Sequence, residues 1–329
     1  MFEEKGVSYY GVYDPESAAG DFAAMRESGL NAVLIGVSEF DYWFWRKALG
    51  EVLREASAQG LSSYVDLWGW GKVFGGEPGS IYVEKNPEDL QKSWDGSVIP
   101  AACMNSGFRK FVLESLQDIC ENYEFDGIFV DEPHYGRAGE AWGCCCDRCE
   151  GLFEERFGRR LERGLSEDVV RFRESSMLQF LSDIVDVVKA AGKGVTICML
   201  PFEGEKRRLV GAPDWDEIRA LDADVLATDP YWITFGEDMA TFVKRHVVRL
   251  LKACHGAGKK AQVWVQLFNV PEGREEELAK GIDFIEKLEV DGKGVDSLFG
   301  WPFLAGKNSI LTSDRPELVW KKFLTALES

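Results

Sequence analysis

The strongest constraint on this 329-residue chain is a repeated alternation of short apolar runs with longer amphipathic stretches. The runs lie at residues 7–13, 32–37, 62–67, 127–130, 195–200, 225–228, 261–267 and 297–301. They are nearly continuous in apolar residues, as strands buried on both faces of a parallel sheet should be. Helical patterns lie at 15–28, 43–59, 108–122, 166–191, 214–221, 237–257, 272–288 and 316–327. Gly29, Gly60, Gly192 and Gly258 follow helical patterns, where left-handed C-terminal caps belong. Eight strand-then-helix units predict an α/β fold, a single (β/α)8 TIM barrel occupying residues 1–329 as one domain. An open doubly wound sheet is the competing architecture. It usually carries a phosphate loop, and neither GxGxxG nor GxxxxGK[ST] occurs here. A barrel needs about 250 residues. The surplus is assigned to enlarged loops at 71–107 and 134–164, after strands 3 and 4 and on the face that carries active sites.

Charge narrows the partners. The chain has 38 basic and 56 acidic residues, a formal charge of −18. Such a surface repels phosphate backbones and anionic lipid, so neither nucleic acid nor a membrane is an expected partner. No stretch approaches the roughly 20 apolar residues of a membrane span. Residues 1–6 lack a basic and then an apolar segment, so no secretory signal is visible and a cytoplasmic location is expected. A homo-oligomer is left open.

The densest chemical signal is Cys144-Cys145-Cys146-Asp147-Arg148-Cys149. Cys144, Cys146 and Cys149 form C-x-C-x2-C, and a closed tetrahedral zinc site wants a fourth ligand. Cys103, in the neighbouring long loop, is the best candidate. Cys145 could replace a cluster ligand, and His134 could replace Cys103. The plainer alternative is a set of free thiols or a redox pair. In a reducing compartment, adjacent thiols favour a structural Zn2+ that pins two loops together. Cys120, Cys198 and Cys254 lie on helix or strand patterns and read as ordinary buried residues.

The segment from Cys144 to Gly158 resembles the zinc segment of family-42 glycoside hydrolases, the β-galactosidase-type barrels. Cys103-Met104-Asn105-Ser106-Gly107-Phe108-Arg109 is similar to that family's C-P-N-S-P-x-aromatic-R segment, which supplies the other zinc ligand. The resemblance covers roughly residues 95–160. It implies a catalytic glutamate on the strand just before the cluster, the place held by Glu132. Related sugar-hydrolase-like barrels share the Asp-Gly-strand-Asp-Glu pattern seen from Asp126 to Glu132.

Glycoside hydrolysis needs two carboxyl groups flanking the scissile bond, and in a barrel they come from strand ends. The acids there are Glu39 and Asp41, Asp66, Asp131 and Glu132, Glu203, and Asp229. Asp131-Glu132-Pro133 is the leading candidate, and it resembles the Asn-Glu-Pro motif of the large retaining-glycosidase clan, in which the glutamate is the acid/base. The alternative is a helix cap or a loop salt bridge. In that clan a nucleophilic glutamate closes strand 7, but here Gln266 stands near that place and cannot ionise. The second carboxylate is then Asp131 or Asp229, or the site binds sugar without cleaving it. Asp229 could also be a simple turn residue before Pro230, and Glu203 reads as part of a solvated charged loop. Because side chains alternate along a strand, Asp131 and Glu132 cannot both face the barrel mouth unless the strand ends between them.

Sugars stack their C–H faces on aromatic rings, and many of the 11 tryptophans follow strand ends. Trp43, Trp45, Trp68, Trp70, Trp232 and Trp301 form that set, with core packing as the plainer role. Trp301 resembles the strand-8 tryptophan beneath the substrate in the retaining clan. Tyr10, Asn105, His134, Tyr231, Gln266 and Asn269 are the candidate hydrogen-bonding residues for hydroxyls. Three histidines are too few for a multi-histidine catalytic metal. The expected protein is a glycosidase of small carbohydrates or glycosides. A catalytically altered sugar-binding barrel and a phosphate-binding isomerase or aldolase with a site near Lys307 are the alternatives.

Overall fold

In the computed structural model, which describes residues 2–328, eight parallel strands close into a barrel in sequence order. They are β1 (Glu4–Tyr9), β2 (Ala32–Gly36), β3 (Ser62–Asp66), β4 (Gly127–Val130), β5 (Gly194–Met199), β6 (Val225–Thr228), β7 (Lys260–Gln266) and β8 (Ser297–Trp301). β8 returns to β1 with Glu4 beside Ser297 and Val7 beside Gly300, so no strand edge remains.

The alternation of side chains sorts the strand residues into two cores. Leu34, Phe129, Cys198, Ala227, Trp264 and Phe299 fill the barrel interior. Their neighbours Val33, Ile35, Ile128, Val130, Ile197, Leu226, Val263 and Leu298 point outward against the helices. Each fully buried aliphatic or aromatic side chain contributes roughly 1.5–3 kcal/mol of apolar transfer free energy. Helix Arg46–Ala58 supplies Leu49, Val52, Leu53 and Ala56 to the outer core at helical spacing. Helix Met239–Ala257 begins where Asp238 accepts the Thr241 amide and ends at Gly258, whose φ of 69° is left-handed.

The first strand starts and ends earlier than the apolar run implies. Gly11, at φ 70°, turns the chain out of the sheet, and Tyr10 swings over the barrel mouth. The helical pattern at 43–59 is two helices, because the Ser38/Asp41 capping box starts a first one at Glu39. The long segments after β3 and β4 each carry a small hairpin, Leu90–Lys92 with Val98–Ala102 and Arg137–Ala138 with Ala141–Trp142. They are sewn together by the Cys145 amide donating to the Lys92 carbonyl at 2.7 Å. Among the described residues no helix is long and apolar enough to cross a membrane.

Candidate active site and cysteine centre

A cavity of about 280 Å³ opens at the C-terminal ends of the strands. Phe129 and Trp264 form its floor, meeting edge-on at 5.2 Å between ring centroids. Tyr10, Trp68, Tyr231, Phe268 and Trp301 form its walls. Tyr10 lies 4.5 Å from Trp68, and Phe268 lies 4.4 Å from Trp301, centroid to centroid. Gly36 permits this arrangement, since a Cβ there would lie 1.9 Å from the Tyr10 ring.

Asp131 and Glu132 both line the cavity. β4 ends at Val130, and Glu132 adopts a left-handed backbone with φ 41°, which breaks the alternation. That conformation is costly for a residue with a β-carbon and persists only where its surroundings hold it. Here the Glu132 amide donates to the Cys198 carbonyl at 3.0 Å, and the His134 ring nitrogen Nδ1 meets the Glu132 carbonyl at 2.7 Å. The Gly75 amide donates to the Asp131 carbonyl at 2.9 Å, and a Cβ on Gly75 would lie 2.3 Å from Asp131 Oδ2.

Asp229, just past the end of β6, is 3% exposed and lines the cavity together with Glu132. Its Oδ1 is enclosed and has no hydrogen-bond partner among the described residues. Burial first and the Glu132 charge second push the Asp229 carboxyl well above the usual range. Asp131 is raised by burial and by the charges of Asp66 and Glu132. Asp66, at the end of β3 and fully buried, is raised by burial, with a weak opposing hydrogen bond from the Tyr10 hydroxyl at 3.5 Å. Glu77 adds a fifth carboxyl at the rim, where it accepts from Trp68 Nε1 at 3.2 Å.

The remaining strand-end acids do other work. Glu39 is buried and accepts from the Gly71 amide, the Ser80 hydroxyl and the Tyr82 amide at 2.6–2.8 Å, tying down the loop after β3. Asp41 caps its helix, and Glu203 pairs with Arg249.

Of the expected ligand-binding side chains, Tyr10, Trp68, Tyr231 and Trp301 stand on the cavity wall, and the other eight lie elsewhere, Trp43 and Trp45 exposed on the surface. Trp70 is fully enclosed, donates to the Val37 carbonyl at 2.7 Å and packs on Phe111. Trp232 is fully enclosed against Gly281. Gln266 is buried and saturated: it accepts from the Thr234 amide and hydroxyl and donates to the Phe268 carbonyl. Asn269 is exposed outside the cavity at φ 46°, and His134 braces backbone. Glu77 and Phe268 escape a reading restricted to strand ends, because both sit in loops. Cys198, read as an ordinary core residue, lies on the cavity wall.

Away from the cavity, the sulfur atoms of Cys103, Cys144, Cys146 and Cys149 lie within 4.8 Å of one another, and all four residues are buried. Cys103 Sγ is 3.5 Å from Cys149 Sγ and 3.7 Å from Cys146 Sγ. Tetrahedral zinc with bonds of about 2.3 Å spaces its sulfurs by about 3.8 Å, so the donor set fits one ion. Asn105 serves this centre, its Nδ2 lying 3.4 Å from Cys149 Sγ. Cys145 stays outside it, and Arg173 passes beneath, donating to the Gly143, Arg208 and Leu209 carbonyls.

No protein-family model matches the chain, and no curated protein matches it either. Solved structures do share its fold. An endo-beta-1,4-mannanase from Thermotoga petrophila superposes with a TM-score of 0.61 at 10% identity, covering 99% of this chain and 77% of that one. A beta-glucosidase, 1317, gives 0.55 at 11% identity over 96% and 88% of the two chains. A D-allulose 3-epimerase from Methylomonas sp. gives 0.53 at 13% identity over 99% and 96%. At these identities the likeness is one of fold.

Proposed function

We propose that the protein is a glycoside hydrolase acting on small glycosides, with Asp229 as the proton donor and Glu132 as the ionised partner. The observation that carries this reading is the set of carboxyls just past the ends of β4 and β6, Asp131, Glu132 and Asp229, gathered on a cavity walled by aromatic rings. Glycosidases need one carboxyl kept protonated and one ionised, and unequal burial divides the roles. Asp229 is the more enclosed of the two and keeps the proton. Glu132, more open to the cavity, is the base or nucleophile. This reverses the acid/base role implied for Glu132 by the resemblance to the retaining clan. The mannanase and glucosidase among the similar structures support a sugar substrate. The epimerase keeps a sugar isomerase in view for the same fold.

The four cysteines are proposed to hold a structural Zn2+. A closed sphere of four thiolates leaves no open position, so the ion would fasten the two long loops and take no part in bond cleavage. The centre accords with the family-42 resemblance, which rests on the cysteine segments alone.

A panel of aryl glycosides assayed with the wild type, Glu132→Gln and Asp229→Asn tests the reading. Turnover by the wild type, with a loss of about 10²–10⁴-fold in each variant, is expected for removal of a general acid or base. Gln266, locked into backbone contacts where the retaining clan has a nucleophile, favours a second reading, a barrel that binds sugar without cleaving it. No turnover by the wild type on any glycoside, with sugar binding intact, would select that one.

A further inference from the structure

The cavity is unbalanced in charge. Glu77, Asp131, Glu132 and Asp229 line it, and Asp66 lies behind them against Tyr10, yet no lysine, arginine or histidine lines it. Lys72, in the loop that carries Glu77, spends its ammonium on the Gly76 and Pro78 carbonyls and does not line the cavity. Hydrolysis needs two carboxyls, so the cavity holds acids beyond that requirement. With no basic residue lining the cavity among the described residues, Asp131 and Asp229 hold protons more tightly than usual, and a positive ligand would let them ionise. Asp229 is 3% exposed, lines the cavity, and has an Oδ1 with no hydrogen-bond partner among the described residues. The walls are also suited to a cation, because aromatic faces attract ammonium groups.

A bare metal ion fits less well. Among the described residues, the donor atoms of three or more metal-ligating side chains converge only at the cysteines. The acids spread around the walls of a cavity of about 280 Å³ instead, a space suited to a small organic ligand.

We propose that this cavity recognises a hexosamine, a sugar whose free amine is protonated, with the ammonium held among the carboxylates and the ring faces against the aromatic walls. The proposal rests on the sugar reading of the cavity and not on cleavage. Calorimetric titration of the wild-type chain at low salt, near pH 6, would compare glucosamine, galactosamine and mannosamine with glucose, galactose and mannose, and with the N-acetyl forms of the amines. At least one amine should bind about tenfold or more tightly than its parent hexose, as one added charge in a site of moderate dielectric allows. The preference should vanish on N-acetylation, which removes the charge. Glu77→Gln should cut the preference of the amine over its parent hexose about threefold, as loss of a solvent-screened rim charge should. If no amine binds more tightly than its parent hexose, whether both bind equally or neither binds, the proposal is overturned. An unchanged preference in Glu77→Gln would overturn it too. Turnover separates this outcome from that of the hydrolase reading. Cationic preference without cleavage of any aryl glycoside sinks the hydrolase alone, whereas cleavage of neutral glycosides without cationic preference sinks only the hexosamine.

Discussion

Replacing Asp229 by Asn should make the protein more stable while removing its proposed acid. The Asp229 carboxyl is buried beside Glu132, and burial first and the Glu132 charge second push its proton affinity up. Two ionised carboxylates about 4 Å apart would repel by about 4 kcal/mol at an effective dielectric of 20, which sets an upper bound. The fold avoids most of that repulsion by keeping a proton. A carboxyl raised in the folded state contributes its full stability below its unfolded value of about 3.9, and that stability is lost as pH rises through the folded value. Wild-type stability should therefore fall from about pH 4 upward, with Asp66 and Asp131, also raised, adding to the slope. Asparagine keeps the shape and a donor for Glu132 and carries no charge at any pH. We expect a gain of roughly 1–3 kcal/mol at pH 8, or about 2–6 °C in Tm for a chain of this size, and a smaller gain at pH 5. Thermal melts followed by tryptophan fluorescence at several pH values would measure it. A variant no more stable than wild type at pH 8, or one with the same pH slope, would refute the idea that burial and the Glu132 charge keep a proton on Asp229.

Two further outcomes follow from local geometry. Gly75→Ala would push a methyl group onto Asp131 Oδ2 at 2.3 Å and to 3.2 Å from Glu132 Oε2, so kcat on any glycoside turned over should fall about 10²-fold through misplacement of Glu132. Circular dichroism should show the barrel intact, and full activity would contradict the packing. The purified protein should carry about one equivalent of zinc, and Cys149→Ser should lower both metal content and Tm, since ligand binding is linked to folding. Metal analysis well below one equivalent in the wild type would remove the zinc.

The barrel was legible because its determinants are local. Eight apolar runs, each followed by an amphipathic stretch, carry the two-sided burial of the strands in their composition, and β2 is buried at every position from Ala32 to Gly36. The cysteine set was legible for a similar reason: three members share one turn, and only Cys103 had to be brought from another loop. The cavity was half legible. Asp131, Glu132 and Asp229 fall at strand ends by counting, but their arrangement depends on a left-handed glutamate that no periodicity announces. Tryptophan position was a poorer guide. Trp68 and Trp70 stand two residues apart, yet the turn at Gly69, with φ 73°, sends one to the cavity and the other into the core. Glu77 became visible only when the loop after β3 folded back over the mouth.

The Glu39 clamp has a consequence for how catalytic acids are sought in barrels of this kind. Glu39 and Asp229 both follow inner strands, and both are almost wholly enclosed. Position and burial cannot tell them apart. What differs is unused hydrogen-bonding capacity: Glu39 already serves three donors from a neighbouring loop, while Asp229 keeps an oxygen with no protein partner. A carboxylate that the scaffold has fully engaged is a rivet, and one left partly idle is an offer to a molecule from outside. An idle oxygen sorts strand-end acids only together with the cavity, because Asp41, which caps a helix, also keeps an unpartnered Oδ1 but lies away from the aromatic walls.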